Sequence, residues 1–405
     1  MGRYAPVPLP SGEPELIAGQ VRAWVTAAPM RALVAASGGE LPSGATEKLL
    51  GWLDDFSAAH WDFRRAAGVE RDQVRSPHVN PETAATVREA AAALGLADHR
   101  RPRRARYDHV LVLGGLGRAC LQRVAHAAEL LRSGVGTTEV AALGSFRPLS
   151  ETERAERGLA GAIHEVDAME VAVRASFGLT ADPVIDCEDG PIGHDSWAIR
   201  TFPASPTTGT SATATATTGA TGAATTRATG VDITGTIGAA ITKATGAATT
   251  GGAGANAAAT IGTATTKATG ANAAANAGAT GADATAAGEP PARPAVHVLA
   301  APSSEPEKRR ARTPDTYEFW ARRFGARPGD RILVVTSPIY VPFQHCDAIR
   351  MLGLPHGCAI DTVGFDPAHA VPPQPETATA PDRYLQETRS AILSMQRLFA
   401  AISAD

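Results

Sequence analysis

The clearest pattern of apolar and polar positions lies between Tyr107 and Ser133. A short apolar run, 110–113, is followed by a glycine-rich turn at 114–117, and apolar residues then recur at helical spacing from 121 to 131. This pattern predicts a strand, a glycine turn and a helix. In an open α/β sheet such a turn lies at the carboxyl end of its strand, where ligands bind. The free N–H groups of the first helical turn favour an anion there.

The first part of the chain, residues 1–105, shows only helical periodicity. One apolar face runs from 17 to 25, and a later helix has clear end signals. Asn80 is a natural N-cap, Pro81 fits the first turn and Gly95 can end the helix. We therefore predict an N-terminal helical region, in which no residue pattern indicates catalysis.

Strands and helices alternate through the rest of the chain. Further strands are predicted at 137–143, 196–202, 295–300, 331–335 and 358–363. Further helices are predicted at 165–177, ended by Gly178, at 313–324, at 344–352, ended by Gly353, and at 382–402. Alternation of this kind is typical of a doubly wound sheet. We therefore predict an α/β fold with a Rossmann-like, mostly parallel sheet and flanking helices, formed by residues 106–205 and 291–405.

Residues 206–290 interrupt this alternation. They consist mainly of Thr, Ala and Gly, and the phrases TTRATG, ITKATG and TTKATG recur in them, which indicates an expanded coding repeat. The segment has too few bulky apolar residues to offset the entropy of ordering it. We predict a disordered insert at a loop tip; the alternative is a repeat fold such as a β-solenoid.

Composition argues against several classes of protein. The chain has 405 residues, 44% of them hydrophobic, which is enough for a large core. A formal net charge of -3 argues against a surface built for nucleic acid or an acidic membrane. No apolar run approaches the length of a membrane span, and the four cysteines form no CxxC pair. We therefore expect a cytoplasmic protein with no nucleic-acid partner and no membrane partner.

The glycine turn is the first candidate ligand site. Gly115 and Gly117 approach the dinucleotide-binding fingerprint, but Cys120 stands where a third glycine belongs. No acidic residue ends the next strand to hold a ribose, so NAD binding is not expected. Binding of a phosphate or carboxylate by this turn and Arg118 is expected instead, because glycine allows close backbone approach.

Two further turns follow predicted strands and should lie beside the first. Ser145 and Arg147 follow one strand, and Arg147 either reaches a phosphate or carboxylate or is an exposed loop residue. Thr336 and Ser337 follow another, where their hydroxyls either donate to a ligand oxygen or cap the next turn. No common zinc spacing, G-x-S-x-G elbow or P-loop is present, so we expect no metal site, and the sequence names no cofactor.

Four sequence blocks occur in a recognisable order. They are DHVLVLGG at 108–115 with Arg123 and Ala127 in the following helix, EVDAM at 165–169, TPDTYEF at 313–319 and RILVVTS at 331–337. In this order they resemble the opening strand and R-x-x-x-A helix, the E-A-x-x-M helix, the S-x-N-T-x-E-N motif and the L-V-T-S strand of the ElyC/SanA/YdcF family. The resemblance covers about 106–202 and 295–365 and implies a Rossmann-like domain.

The chain departs from that family at several positions. The family's T-S pair leads to an aromatic residue, a His and an Arg, whereas this chain has Ile339, Tyr340 and Phe343 there. Asp315 and Phe319 stand at the two Asn positions of the third motif. The resemblance implies that soluble members bind nucleotide-like or methyl-donor ligands. This chain shows no membrane anchor, so we expect it to behave like those members.

Together these patterns predict a protein that binds a small anionic or nucleotide-like metabolite and acts on a phosphorylated substrate. The predicted ligand-binding residues are Gly114, Gly115, Gly117, Arg118, Ser145, Arg147, Thr316, Thr336 and Ser337. Glu318 is the candidate general acid or base, because a carboxylate in a cleft can have a raised pKa. The alternative is a ligand-binding or regulatory module without turnover. A third interpretation is a structural partner that docks through the basic run 99–106, which otherwise reads as a solvated linker.

Overall fold

The computed structural model describes residues 3–63, 80–97, 99–188, 190–204 and 293–403. The Thr/Ala/Gly-rich insert expected over 206–290 lies outside these ranges. None of the described helices is both long enough and apolar enough to cross a membrane.

The strands of the described chain form one sheet. They are β1 (His109–Leu113), β2 (Glu139–Gly144), β3 (Val184–Cys187), β4 (Ala198–Phe202), β5 (Ala295–Ala300), β6 (Arg331–Thr336) and β7 (Ala359–Gly364). Their order is β3-β4-β5-β2-β1-β6-β7. The strands from β5 to β7 in this order are parallel, and the β3-β4 hairpin adds to β5 in the antiparallel direction. The prediction of an α/β fold with a mostly parallel sheet is confirmed.

α-Helices lie before the first strand, between strands and after the last strand. They are α1 (Pro14–Val25), α2 (Ala28–Ala36), α3 (Thr46–His60), α4 (Pro81–Ala93), α5 (Gly117–Arg132), α6 (Glu151–Arg154), α7 (Glu165–Phe177), α8 (Thr313–Phe324), α9 (Val341–Ala348), α10 (Leu354–His356) and α11 (Pro381–Ser403). A helix lies between β1 and β2, between β5 and β6 and between β6 and β7, because each of these parallel connections needs a crossover, whereas no described helix separates β3, β4 and β5.

The sheet is covered on both faces, which explains why its parallel strands are continuous apolar runs. One face, with Val110 of β1 and Val335 of β6, packs against α5 and α7. The opposite face, with Leu111, packs against α8, α9 and α11. Trp24 of α1 and Ile392 of α11 belong to that same core. The helices before β1 are therefore joined to one face of the sheet by continuous apolar packing.

Several predicted helix ends are confirmed. The Asn80 side chain accepts a hydrogen bond from Thr83 N–H at 2.8 Å, and Pro81 occupies the first helical position of α4. Gly95 follows α4 with φ of 92°, and Gly178 ends α7 with φ of 61°. Glycine suits both positions because left-handed backbone brings the Cβ of other residues too close to the chain.

Two details of the element predictions are wrong. The helix that begins at Val341 does not end at Gly353; a π-helical turn, Ile349–Gly353, leads into α10, and the left-handed glycine is Gly357, with φ of 67°. Pro355 within α10 has no N–H to donate to an earlier carbonyl, which disfavours regular helix there. Strand β3 was not predicted at all, because its four residues are exposed and show no burial pattern.

Candidate functional site

The turns after β1 and β6 lie side by side, as predicted. Val112 pairs with Val335 in parallel register, so both strands end at the same edge of the sheet. β2 and β5 lie on one side of β1, whereas β6 and β7 lie on the other, so the strand order reverses between β1 and β6. In open α/β sheets, ligands bind in the crevice outside the carboxyl ends at such a reversal. This crevice is the candidate site.

Arg123 connects the two turns. It lies two helical turns into α5 and is 1% exposed. Its Nε donates to Ser337 Oγ at 3.0 Å, and its Nη1 donates to the carbonyls of Leu113, at 2.9 Å, and of Gly114. The guanidinium also lies 5.3 Å from the centre of the Tyr340 ring. A buried cation with these partners fixes the relative positions of the β1 and β6 turns.

Glu165 places a buried carboxyl group at the same edge. It is the first residue of α7, and its Oε2 accepts a hydrogen bond from Ser145 Oγ at 2.6 Å. Oε1 accepts no hydrogen bond from any described residue. Burial raises the pKa of Glu165, and this effect outweighs the nearby charge of Arg147 and the Ser145 hydrogen bond, which lower it. A carboxyl group with a raised pKa and a free oxygen can take up and release a proton.

Arg147 is buried rather than exposed, and its donors are engaged within the chain. Its guanidinium binds both oxygens of Glu153, at 2.9 and 2.7 Å, and donates to the Gly115 carbonyl at 2.8 Å. Burial by itself raises the pKa of Glu153, but the hydrogen bonds from Arg147, Ser150 N–H and Gly117 N–H lower it to about 2. The alternative of an exposed loop arginine is therefore wrong.

Arg118 lies at the outer rim of the crevice. Its side chain is 34% exposed and forms an ion pair with Glu156. Its Nη1 also donates to the Pro373 carbonyl at 2.9 Å. Both arginines that were predicted to bind an anion are thus paired with glutamates from the connection between β2 and α7.

Packing within the chain leaves little room for a side chain at the three glycines of the turn, least of all at Gly114. A Cβ at Gly114 would lie 2.5 Å from Glu165 Oε1, and a Cβ at Gly117 would lie 2.5 Å from the Leu159 side chain. At Gly115 a Cβ would meet the Arg123 guanidinium at 3.2 Å. The glycine pattern therefore has a structural cause of its own, independent of a ligand.

The remaining predicted residues divide into two groups. Ser337 accepts from Arg123, and the buried Thr336 hydroxyl donates to Gln344 Oε1, so both line the β6 turn. Thr316 donates to the Thr313 carbonyl within α8, at 2.9 Å. Glu318 forms an ion pair with Arg322 on an open face of the same helix. In the described chain neither Thr316 nor Glu318 forms a hydrogen bond or ion pair with a residue of the crevice, and their roles stay predictions.

Arg123, Glu153 and Glu165 were not among the predicted site residues. Arg123 and Glu165 had a signal, because both lie in the blocks that resemble the ElyC/SanA/YdcF family. The sequence signal at Glu153 was its position three residues after Ser150, which is the spacing of a capping box. A capping box predicts a helix start and gives no reason to expect a bond to Arg147.

Neither a metal site nor a groove of the described residues offers a better candidate than the crevice. No three His, Cys, Asp or Glu side chains of the described residues gather so that they could hold a metal ion. An open groove with a mainly apolar lining is formed by the N-terminal segment and the end of α4, with His99 and Arg100 at its rim. The groove contains none of the strand-end residues. We therefore assign the candidate site on the buried polar groups of the crevice.

Comparison with known proteins identifies relatives whose names state no function. Residues 9–95 match the family model of the Rv3785 N-terminal domain. Over 98% of its length the chain is 27% identical to the uncharacterised protein Rv3785 of Mycobacterium tuberculosis H37Rv and to the uncharacterised protein Mb3814 of Mycobacterium bovis, covering 94% of each. No solved structure matches the chain. The chain is thus similar along nearly its whole length to mycobacterial proteins whose names carry no activity.

Proposed function

We propose that the chain is a Rossmann-like protein that binds a small anionic or nucleotide-like metabolite in the crevice between the β1 and β6 turns. The observation that carries this proposal is the reversal of strand order at β1. The parallel strands run β5-β2-β1-β6-β7, which in chain order is third, second, first, fourth, fifth. Doubly wound sheets with this order bind nucleotides at the reversal.

The charges around the crevice support an anionic ligand. Arg118 and Arg147 flank the glycine turn, and Arg310, on the loop after β5, acts electrostatically on Glu165. Gly117 starts α5, whose positive end faces the crevice. Arginine fits carboxylate and phosphate groups with paired hydrogen bonds. A ligand with a phosphate or carboxylate group matches these donors best.

As an enzyme, the protein would use Glu165 as its general acid or base, acting on a phosphorylated substrate. Glu165 is buried at the strand ends with its pKa raised and one oxygen unengaged by described residues, whereas Glu318 is ion-paired on the outside of α8. A protonated Glu165 can donate to a leaving oxygen, and Ser145 holds the other carboxyl oxygen in place.

A binding module without turnover is the second candidate. Ile339, Tyr340 and Phe343 occupy the positions where the resembling family has an aromatic residue, a His and an Arg. Tyr340 and Phe343 pack edge to face, with ring centres 5.7 Å apart, so this turn offers packing instead of acid-base groups. In this case Glu165 would only orient the ligand.

A cytoplasmic location is part of the proposal. Cys120, Cys187, Cys346 and Cys358 are all free thiols, and three of them are buried. Unpaired thiols are typical of proteins kept in a reducing compartment.

Native mass spectrometry of freshly purified protein tests the proposal, followed by a thermal-shift panel of nucleotides, sugar phosphates and methyl donors. We expect a retained small molecule, or a rise in melting temperature with at least one phosphorylated compound. Glu165→Gln separates the two candidates, because it should abolish turnover in an enzyme while a binding module keeps its affinity. An apo protein that no compound of the panel stabilises would contradict both.

A further inference from the structure

One segment of the chain neutralises both arginines at the glycine turn. The 150–162 segment lies between β2 and α7 and contains α6. Glu153 from this segment binds Arg147, and Glu156 binds Arg118. These are the two arginines that the sequence, without any structure, predicts to bind an anion. Because a single segment supplies carboxylates to both arginines, that segment occupies the place where the ligand anion is proposed to bind.

The Glu153 carboxylate occupies the position of a ligand anion. Oε1 accepts from Gly117 N–H, the first amide of α5, at 2.8 Å. The same carboxylate takes two parallel hydrogen bonds from the Arg147 guanidinium. A helix N-terminus together with a bidentate arginine is the donor set that proteins use for phosphate and carboxylate groups. Glu153 thus satisfies, from within the chain, the donors that a ligand would use.

The 150–162 segment is closed at its base and contains two glycines with positive φ. Its base is closed by a bridge between Pro148 and His164 and by a hydrogen bond from Leu149 N–H to the Ile163 carbonyl. Within it, Gly158 and Gly161 have φ of 97° and 93°. Its contribution to the core consists of Leu159 and Ala162, and Leu159 packs against Gly117. Opening about this base would expose these two side chains and leave the strand pairing unchanged.

We propose that the 150–162 segment is an internal lid whose carboxylates are displaced by the anionic group of the ligand. The inference rests on the proposed function and specifies how the site works. In the closed state, Glu153 and Glu156 compete with the ligand for Arg147, Arg118 and the Gly117 amide. The open state exposes these donors to a phosphate, so the observed affinity is reduced by the fraction of molecules that are closed.

Titration calorimetry with inorganic pyrophosphate tests the competition. In Glu153→Gln and in the double variant Glu153→Gln/Glu156→Gln, the amide oxygen can still accept from Gly117 N–H while the competing charge is removed, and circular dichroism checks that both variants fold. We expect these variants to bind pyrophosphate at least tenfold more tightly than the unchanged chain. Glu170→Gln is the matched control, because Glu170 pairs with Arg174 and Arg200 away from the crevice; its affinity should not change.

Hydrogen–deuterium exchange on the unchanged protein provides a second readout that needs no variant. The amides of Ser150 and Glu153 are held by the capping box of α6. Saturating pyrophosphate should make them exchange faster, while the amides of the 114–118 turn exchange more slowly. Pyrophosphate that binds the unchanged chain and the double variant equally, with no faster exchange in the segment, overturns the lid and leaves the proposed function standing. Absence of pyrophosphate binding in every variant overturns the anion position itself, and the ligand panel then decides the proposed function separately.

Discussion

At the scale of single residues, the crevice contains buried charged groups that are held by hydrogen bonds within the chain. Arg123 binds the backbone of the β1 turn and the hydroxyl of Ser337, and Arg147 binds Glu153. Glu165 differs from them, because only one of its oxygens has a hydrogen-bond donor among the described residues. Burying a carboxyl group without a cationic partner favours its neutral form. Glu165 is therefore the residue of the crevice whose protonation should be measurable.

Glu165→Gln should become more stable relative to the unchanged protein as the pH rises. The folded state raises the pKa of Glu165 above the value of about 4.3 that is typical of an unfolded chain. The folded state therefore binds the proton more tightly, so this residue stabilises the fold at low pH and loses that contribution as the pH rises through the window between the two pKa values. Gln resembles the protonated acid at every pH. Urea unfolding of both proteins from pH 4 to pH 8 measures the difference.

A constant difference in the free energy of unfolding across that range would contradict the raised pKa of Glu165. Ser145→Ala serves as the control, because it removes the donor to Oε2 and leaves the titrating group in place. Because that hydrogen bond lowers the pKa of Glu165, the stability of Ser145→Ala should fall with rising pH over a window at least as wide as that of the unchanged protein.

Gly114→Ala should destabilise the fold by about 1–3 kcal/mol, the range found for overpacked sites. The added Cβ would lie 2.5 Å from Glu165 Oε1 and 2.7 Å from the Leu143 carbonyl oxygen. Gly19→Ala is the control, because a Cβ there meets no atom within 4 Å and the position lies inside α1. That substitution should stabilise the protein by about 0.5–1 kcal/mol. Equal effects of the two substitutions in chemical denaturation would refute the packing account of the glycine turn.

The sequence identified the strand-end turns of the candidate site but not the pairing of their side chains. Gly114, Ser145 and Thr336 could be placed because each follows a buried strand, and strand ends share one edge. The bond between Arg147 and Glu153 could not be predicted, since it depends on how the 150–162 segment folds back, and that segment has no periodic pattern. Side-chain partners across a loop are set by tertiary packing, which hydrophobic periodicity does not contain.

At the scale of elements, the sequence predicted helix ends correctly where the residues that form the end lie close together in the chain. The N-cap at Asn80 involves a side chain and an amide three residues apart, so the sequence contains all that is needed. The prediction that the helix after β6 ends at Gly353 was wrong, because the chain passes through a π-helical turn before Gly357 ends it. Strand β3 was missed because it is an exposed strand at the edge of the sheet, next to β4.

Asn80→Ala should reduce the free energy of unfolding by about 1 kcal/mol, because it removes the acceptor for Thr83 N–H. Asn80→Asp keeps an oxygen in the same place and should leave the stability within a few tenths of a kcal/mol of the unchanged protein. Thermal unfolding of the three proteins compares them. If Asp is as destabilising as Ala, the hydrogen bond at the N-cap does not support α4.

At the scale of the whole molecule, one apolar core spans the helices before β1, one face of the sheet and α11. Polar contacts reinforce it: Arg389 of α11 donates to the Asp54 carbonyl at 2.9 Å, and His345 of α9 contacts the Pro10 carbonyl at 2.8 Å. The sequence suggested helices before the sheet, but periodicity alone could not indicate which face of the sheet they cover. Contacts between distant parts of the chain supply that information.

We expect the N-terminal helices and the sheet to unfold together. Because Trp24 and Leu111 lie in the same core, separating the helices would expose apolar surface on both parts. Hydrogen–deuterium exchange in increasing urea should give the amides of α1 and β1 the same opening free energy. Opening of α1 at a clearly lower urea concentration, with β1 still protected, would show that the two parts are independent units.

The most direct test of the account is a crystal structure of the protein with the compound of the ligand panel that stabilises it most. We predict that its anionic group lies at the carboxyl ends of β1 and β6, within hydrogen-bond distance of the 114–118 backbone or of Arg147, with Ser337 on the opposite wall. A ligand bound in the groove beside His99 and Arg100, or at any place away from these two turns, would contradict the proposed site.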